Sequence, residues 1–197
     1  IEFFFMLTEL SCENNHLVSL DLSRNMISIL DCSGNDLTTL NIARNYYLDD
    51  LDCSKNNLAE LNIAQSYSIR NLDCSDNQLS ELDVTRNNYL ETLLCSKNKL
   101  EDLDLSNSNE LSFLSCYGNK LKSLDLSEIY SLITVNVRGN DLTELSVPNS
   151  MFLDSLNCSD NKITELDVTY NPFLSNLDCH SNALRDLNIT GLYSLTD

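Results

Sequence analysis

The sequence predicts an all-β-rich solenoid of about nine 21-residue coils, with short parallel strands on two walls and little or no helix. Three observations carry that expectation. All eight cysteines occupy one place in a repeating frame: Cys12, Cys32, Cys53, Cys74, Cys95, Cys116, Cys158 and Cys179. Their gaps are 20, 21, 21, 21, 21, 42 and 21 residues, and Val137 fills the skipped place. A position shared by Cys and Val wants a small apolar side chain facing inward. Second, the columns around it repeat as strictly. Asparagine stands three residues after every copy, from Asn15 to Asn182, and leucine eight after, from Leu20 to Leu187. Third, apolar and polar residues alternate twice per repeat, as in Leu72-Asp73-Cys74 and Leu82-Asp83-Val84, while no stretch shows a long helical period.

The elements follow in chain order within each unit. Two residues before the cysteine is Leu, or Val135, and the Leu-x-Cys segment forms the first extended wall. Strands of successive coils should stack in parallel ~4.8 Å apart, making a rod roughly 40 Å long. The asparagine column then turns the chain. Its amide can satisfy backbone N–H and C=O groups of adjacent coils, so an asparagine ladder is expected. Leu or Ile five after the cysteine packs inward, and the Leu-Asp-Leu segment makes the second wall. With only four Gly and two Pro, the turns fall to Asn, Asp and Ser.

The unit L-x-x-L-x-C-x-x-N-x-L-x-x-L-D-L-x-x-N-x-x resembles the leucine-rich repeat family, and within it the 21-residue bacterial IRREKO-type class. Leu72 to Leu82 and Leu82-Asp83-Val84 carry the likeness, which extends over essentially the whole chain. It departs at Val137, at a one-residue deletion near Met26, and where the second asparagine becomes Ser66, Ser108, Ile129, Ser150 or Leu192. The resemblance implies a right-handed coil and a bacterial protein, secreted or surface-exposed, that binds other proteins. It implies no cofactor.

The cysteine count does not read as disulfides. Thiols in an in-register parallel stack have Cβ vectors pointing the same way, whereas a bridge needs converging vectors and Cβ atoms about 3.5–4.5 Å apart. Free buried thiols are expected. No C-x-x-C occurs, and thiols one coil apart cannot surround one metal ion. Ile1 to Leu7 lacks the basic start and the length of a signal peptide and reads as the tail of a preceding repeat. Neither end carries a polar cap, so residues 1–197 are expected to be one solenoid taken from a larger protein. Self-association through uncapped ends is the alternative.

The formal net charge is −18. Nucleic acid is an unsuitable partner, because binding it needs basic surface to replace counterions. Insertion into a membrane has no segment to support it. A cationic protein or peptide would be attracted. Catalysis has little support: the only histidines, His16 and His180, lie in the first and last coils, and no activated nucleophile or Gly-rich phosphate loop is evident.

Function must therefore be sought in outward positions. The column just before each cysteine runs Ser11, Asp31, Asp52, Asp73, Leu94, Ser115, Asn136, Asn157 and Asp178, with Asp49, Asp50 and Asp76 beside it. Aspartates ~4.8 Å apart raise one another's pKa or recruit a cation. Asp31, Asp49, Asp50, Asp52, Asp73 and Asp76 thus read as an acidic patch for a basic peptide or a cation, or as a solvated face. Farther along the same wall stand Leu94, Phe113, Tyr117, Ile133 and Arg138, bordered by Lys97. Clustered aromatics with an arginine able to stack on Tyr117 are what an interface anchor requires. These five residues are the expected partner site. On the second wall Asp83, Asp104 and Asp125, with Glu81 and Asp102, read as turn or solubility residues. The competing expectation is a structural spacer, with or without a stabilising cation, that presents another domain.

Overall fold

The computed structural model describes residues 4–196. Ile1, Glu2 and Phe3, assigned above to a preceding repeat, lie outside the described residues; Leu7 and Leu10 of the same stretch do pack against the core. Every coil places one three-residue strand on the first wall. These are β1 (Glu9–Ser11), β3 (Ile29–Asp31), β5 (Asp50–Asp52), β6 (Asn71–Asp73), β7 (Thr92–Leu94), β8 (Phe113–Ser115), β10 (Thr134–Asn136), β12 (Ser155–Asn157) and β13 (Asn176–Asp178). They form one nine-stranded parallel sheet in that order. The register is strict, with Leu51 opposite Leu30 and Leu72, so each inward leucine meets its counterpart. No helix is present among the described residues.

The second wall is less regular. Among the described residues, strand pairing there occurs only between β2 (Ser19–Asp21) and β4 (Thr39–Asn41), and between β9 (Ser123–Asp125) and β11 (Glu144–Ser146), with a single bridge from Asp167 to Asn188. The expected second row of strands is therefore extended backbone with local pairing. The Leu-Asp-Leu segments turn immediately: Asp83 Oδ1 accepts from the Thr85 N–H at 3.0 Å, Asp104 Oδ1 from Ser106 and Asp125 Oδ1 from Ser127.

Between the walls lies one continuous core. Leu30, Leu51, Leu72, Leu93, Leu114, Val135 and Leu156 line it from the first wall, next to Cys32, Cys53, Cys74, Cys95, Cys116, Val137 and Cys158. All eight cysteines are free thiols; six are buried, and Cys12 and Cys179, in the first and last coils, are partly exposed. Burial pushes the Cys116 and Cys158 thiols up to about 12 and those of Cys53, Cys74 and Cys95 well above the ordinary thiol range. A thiol held protonated is a poor nucleophile.

The asparagine ladder is present at each coil interface. Asn56 shows the pattern: its Oδ1 accepts the Leu37 N–H at 2.9 Å, and its Nδ2 donates to the Cys32 carbonyl at 3.0 Å and to its own coil's Cys53 carbonyl at 3.1 Å. Asn77, Asn98, Asn119, Asn140 and Asn161 repeat it. The backbone N–H of the ladder cysteine in every coil but the last, and of Val137, meanwhile donates to the carbonyl just before the cysteine position in the next coil, as Cys53 does to Asp73 at 2.8 Å.

One device escapes composition. The residue two after each cysteine is left-handed in all nine coils, with φ between 52° and 68°. Glycine fills it at Gly34, Gly118 and Gly139, where the conformation is free, but Lys55 and Lys97 adopt it as well. The turn that aims the asparagine into the core demands this geometry, and the ladder bonds hold a lysine there against a cost of about 1–2 kcal/mol.

Two outcomes check the ladder. Asn98→Ala strands buried backbone groups and should destabilise by roughly 1–3 kcal/mol, whereas Asn107→Ala, at an exposed site, should cost under about 0.5 kcal/mol in chemical denaturation. In native alkylation followed by mass spectrometry, Cys12 and Cys179 should react first. The six buried thiols should react only on denaturation; early labelling of Cys74 or Cys95 would contradict the packing.

Candidate functional site

Four residues per coil lie on the outward side of the first wall, the fourth, third and first before the cysteine position and the first after it, although Ser54, Ser96, Ser115 and Ser159 among them are buried. Local chemistry explains most of them. In six coils the residue just before the cysteine position caps a turn with its side-chain oxygen. Asp31, Asp52 and Asp73 accept the N–H of Ser33, Ser54 and Ser75 at 2.9–3.0 Å. Asn136, Asn157 and Asp178 do the same for Arg138, Ser159 and His180. The aspartate column thus has a turn-making role that the sequence reading gave only to the second wall.

This revises the acidic patch. Asp49 pairs with Arg70 at 3.3 Å and Asp76 with Lys97 at 3.1 Å, so two of the six carboxylates have their own cations. Asp31, Asp50, Asp52 and Asp73 remain together. Burial, then Asp49, Asp52 and Asp31, raises the Asp50 carboxyl above the usual carboxylate range; burial also raises Asp73 against the lowering effect of its bonds to Ser75. Among the described residues no group of three or more His, Cys, Asp or Glu is arranged to hold a metal ion. The second-wall carboxylates move the other way. Hydrogen bonds from Thr85 lower Asp83, and those from Ser106 and Ser127 lower Asp104 and Asp125.

Two interior coils break the capping rule, and they hold the expected partner site. Leu94 cannot cap a turn, and Ser115 instead shares a hydrogen bond with Ser96, Oγ to Oγ 2.9 Å, in a buried pair. The strand register sets Leu94 and Asn136 on either side of Ser115, and Thr92 and Thr134 on either side of Phe113. Phe113, between two threonines, is 42% exposed. Ile133, 47% exposed, sits next to Ser112 and donates its N–H to that carbonyl. Tyr117 follows β8 and is half-buried.

One expected contact is corrected. Arg138 does not stack on Tyr117: its Nε donates to Asp160 Oδ2 at 2.9 Å, one coil onward. The cation over the Tyr117 ring is Lys97, its Nζ 5.9 Å from the centroid while it also bonds Asp76. A carboxylate in the next coil outcompetes a ring face for the guanidinium, because a charged pair is stronger than a half-exposed cation–π contact. The expected group Leu94, Phe113, Tyr117 and Ile133 thus has Lys97, and not Arg138, as the cation beside its tyrosine.

A second feature was missed in the sequence. The edge that returns the chain from the second wall to the first carries Tyr46, Tyr47, Tyr67, Tyr89, Tyr130, Tyr170, Tyr193, Phe152 and Phe173, all exposed. That is nine of the chain's 14 aromatic residues (eight Tyr and six Phe). The signal was available, since these residues stand 12 to 15 places after the cysteine position, but an inward-facing frame draws the eye from outward columns.

No protein-family model and no curated protein matches the sequence. Solved structures do match the fold. The leucine-rich repeat protein LIC12759 of Leptospira interrogans is 26% identical with a TM-score of 0.81 over 92% of this chain and 51% of its own. The leucine-rich effector YopM of Yersinia pestis is 27% identical, TM-score 0.78, over 88% of this chain and 49% of its own. An internalin, InlF of Listeria monocytogenes, shares the fold at 18% identity and a TM-score of 0.67, over 96% and 72%. The chain spans about half the length of the first two. No described helix is long and apolar enough to cross a membrane.

The opposite pKa shifts make a pH prediction. Asp73 binds its proton more tightly when folded, so its carboxylate lowers stability at neutral pH and that penalty disappears as pH falls through its raised pKa. Asp73→Asn keeps the turn acceptor and should raise the melting temperature at pH 7, with the gap closing in acid. Asp83→Asn removes a carboxylate that the fold stabilises. It should lower the melting temperature at pH 7, with that gap also closing in acid; shifts of equal sign in a thermal series would refute the assignment.

Proposed function

From the premise that this chain is a leucine-rich repeat solenoid of about 21-residue turns, we propose that it is a non-enzymatic protein-binding module of a secreted or surface-exposed bacterial protein. Its partner docks on the first wall over coils five to seven. The observation that carries this reading is the break in the capping rule at Leu94 and Ser115, beside the exposed Phe113. Local rules fail where a surface serves something besides its own fold. The likeness to an effector and to internalins supports a binding role in a bacterial setting.

The site has the parts a docking surface needs. Phe113 and Ile133 supply apolar area, Leu94 and Ser115 leave a shallow uncharged floor between them, and Lys97 and Tyr117 offer a cation and a hydroxyl at the margin. Asp31, Asp50, Asp52 and Asp73 lie on the same sheet a few strands away. Their field would speed encounter with a basic partner, while the aromatic anchor would govern its dissociation.

Phe113→Ala combined with Tyr117→Ala should weaken partner binding by roughly 2–4 kcal/mol with the melting temperature nearly unchanged. Surface plasmon resonance against a partner captured with the wild-type chain reads this. Unchanged affinity would favour the spacer reading, in which this wall only carries the coil.

A further inference from the structure

The first four return turns differ from the rest of the molecule in charge. Segments 23–28, 43–48, 64–69 and 85–90 contain no Asp or Glu, in a chain that has 30. They contain Arg24, Arg44 and Arg86, half of the six arginines, and four tyrosines. We propose that this edge binds an acidic polysaccharide, laid along the solenoid axis with its sugar rings on the tyrosines and its carboxylates on Arg44 and Arg86.

Three independent features support a built site. First, a cavity of about 280 Å³ opens between the first two turns, lined by Arg24 and Arg44, one coil apart, and by Met26, Tyr46 and Tyr47. Second, Arg44 is held at φ 70°, a left-handed conformation that the same position of the ninth coil gives to Gly191. Its N–H is fixed there by Gln65 Oε1 at 3.2 Å. Strain of this kind persists where a side chain must be aimed. Third, Arg70 and Arg138 are tied to carboxylates, whereas no described carboxylate lies within ion-pair distance of Arg44, and Arg86 only feels Asp83 at longer range.

The repeat selects the ligand. Tyrosines stand in three successive coils, at Tyr46 and Tyr47, Tyr67 and Tyr89, with a coil step of ~4.8 Å close to the length of one pyranose, and Arg44 and Arg86 are two steps, about 10 Å, apart. A glycan with a uronate at every second sugar matches the tyrosine step and the two-coil step from Arg44 to Arg86, so its carboxylates fall on those two arginines and not on Arg24. An extended peptide advances about 3.3 Å per residue and drifts out of phase with the coils. Aromatic faces stack on the C–H faces of sugars, and guanidinium forks bind carboxylates in two-point contact. The surrounding acidic surface repels a polyanion at long range, but screening confines that field to about 8 Å at physiological salt.

Hyaluronan oligosaccharides, which alternate uronate and neutral sugars, are the probe, titrated by calorimetry at about 150 mM salt. Saturable binding is expected, weakened at least tenfold by Arg44→Gly with Arg86→Gln, and weakened likewise by Tyr67→Ala. Arg44→Gly suits the left-handed backbone, so the melting temperature should hold or rise. Phe113→Ala with Tyr117→Ala should leave glycan binding untouched, which separates this edge from the first-wall site. Absence of saturable binding overturns the proposal. So does equal binding of polyglutamate, which would indicate an acidic protein segment, or equal binding of neutral chito-oligosaccharides regardless of the arginines. A dimer in analytical ultracentrifugation that Tyr67→Ala dissolves would assign the edge to a second copy of the chain instead.

Discussion

Every coil of this protein depends on a side-chain amide that belongs half to its neighbour. The Asn56 carbonyl oxygen takes the Leu37 N–H of the preceding coil, and its NH₂ group reaches the Cys32 and Cys53 carbonyls on both sides of the junction. No single coil can bury its leucines or satisfy its turn alone. The ladder converts a stack of weak units into one body whose stability is a sum over interfaces. It also explains why Lys55 and Lys97 tolerate a left-handed backbone: relaxing it would unseat the asparagine that follows.

The same economy shapes the surface. An aspartate beside a buried leucine is used twice over, as a turn acceptor and as a solubilising charge. That leaves the carboxylates arranged by structural need on both walls, with burial raising Asp50 and Asp73 on the first and hydrogen bonds lowering Asp83, Asp104 and Asp125 on the second. Against that regular background, departures become informative. Leu94 and Ser115 do not cap, Arg44 occupies a glycine-like conformation, and four successive return turns carry no acid. None of these helps the core.

The two candidate surfaces face different directions and use different chemistry. The first wall offers a compact apolar group around Phe113 within an acidic sheet, suited to one anchored protein contact. The return edge offers a repeating row of tyrosines and arginines, suited to a ligand that itself repeats. A solenoid can hold both because each outward column is free to vary while the inward columns stay constant.

By itself the sequence determined the coil, the free thiols, the core and the asparagine ladder. Each of these is an inward property repeated at one register, so a single frame drawn through the cysteines reveals them all. It also located Phe113 and Ile133 as outward residues, because strand alternation alone decides which face a side chain takes. Only the tertiary structure decided what those outward groups touch. Lys97 rather than Arg138 covers Tyr117, since Asp160 of the next coil claims the guanidinium. Asp31, Asp52 and Asp73 serve turns rather than standing as an unengaged acidic column. Nine aromatics far apart in the chain become one edge. Those outcomes depend on contacts between coils some 21 residues apart and on competition among long, flexible side chains, which spacing within a repeat does not encode.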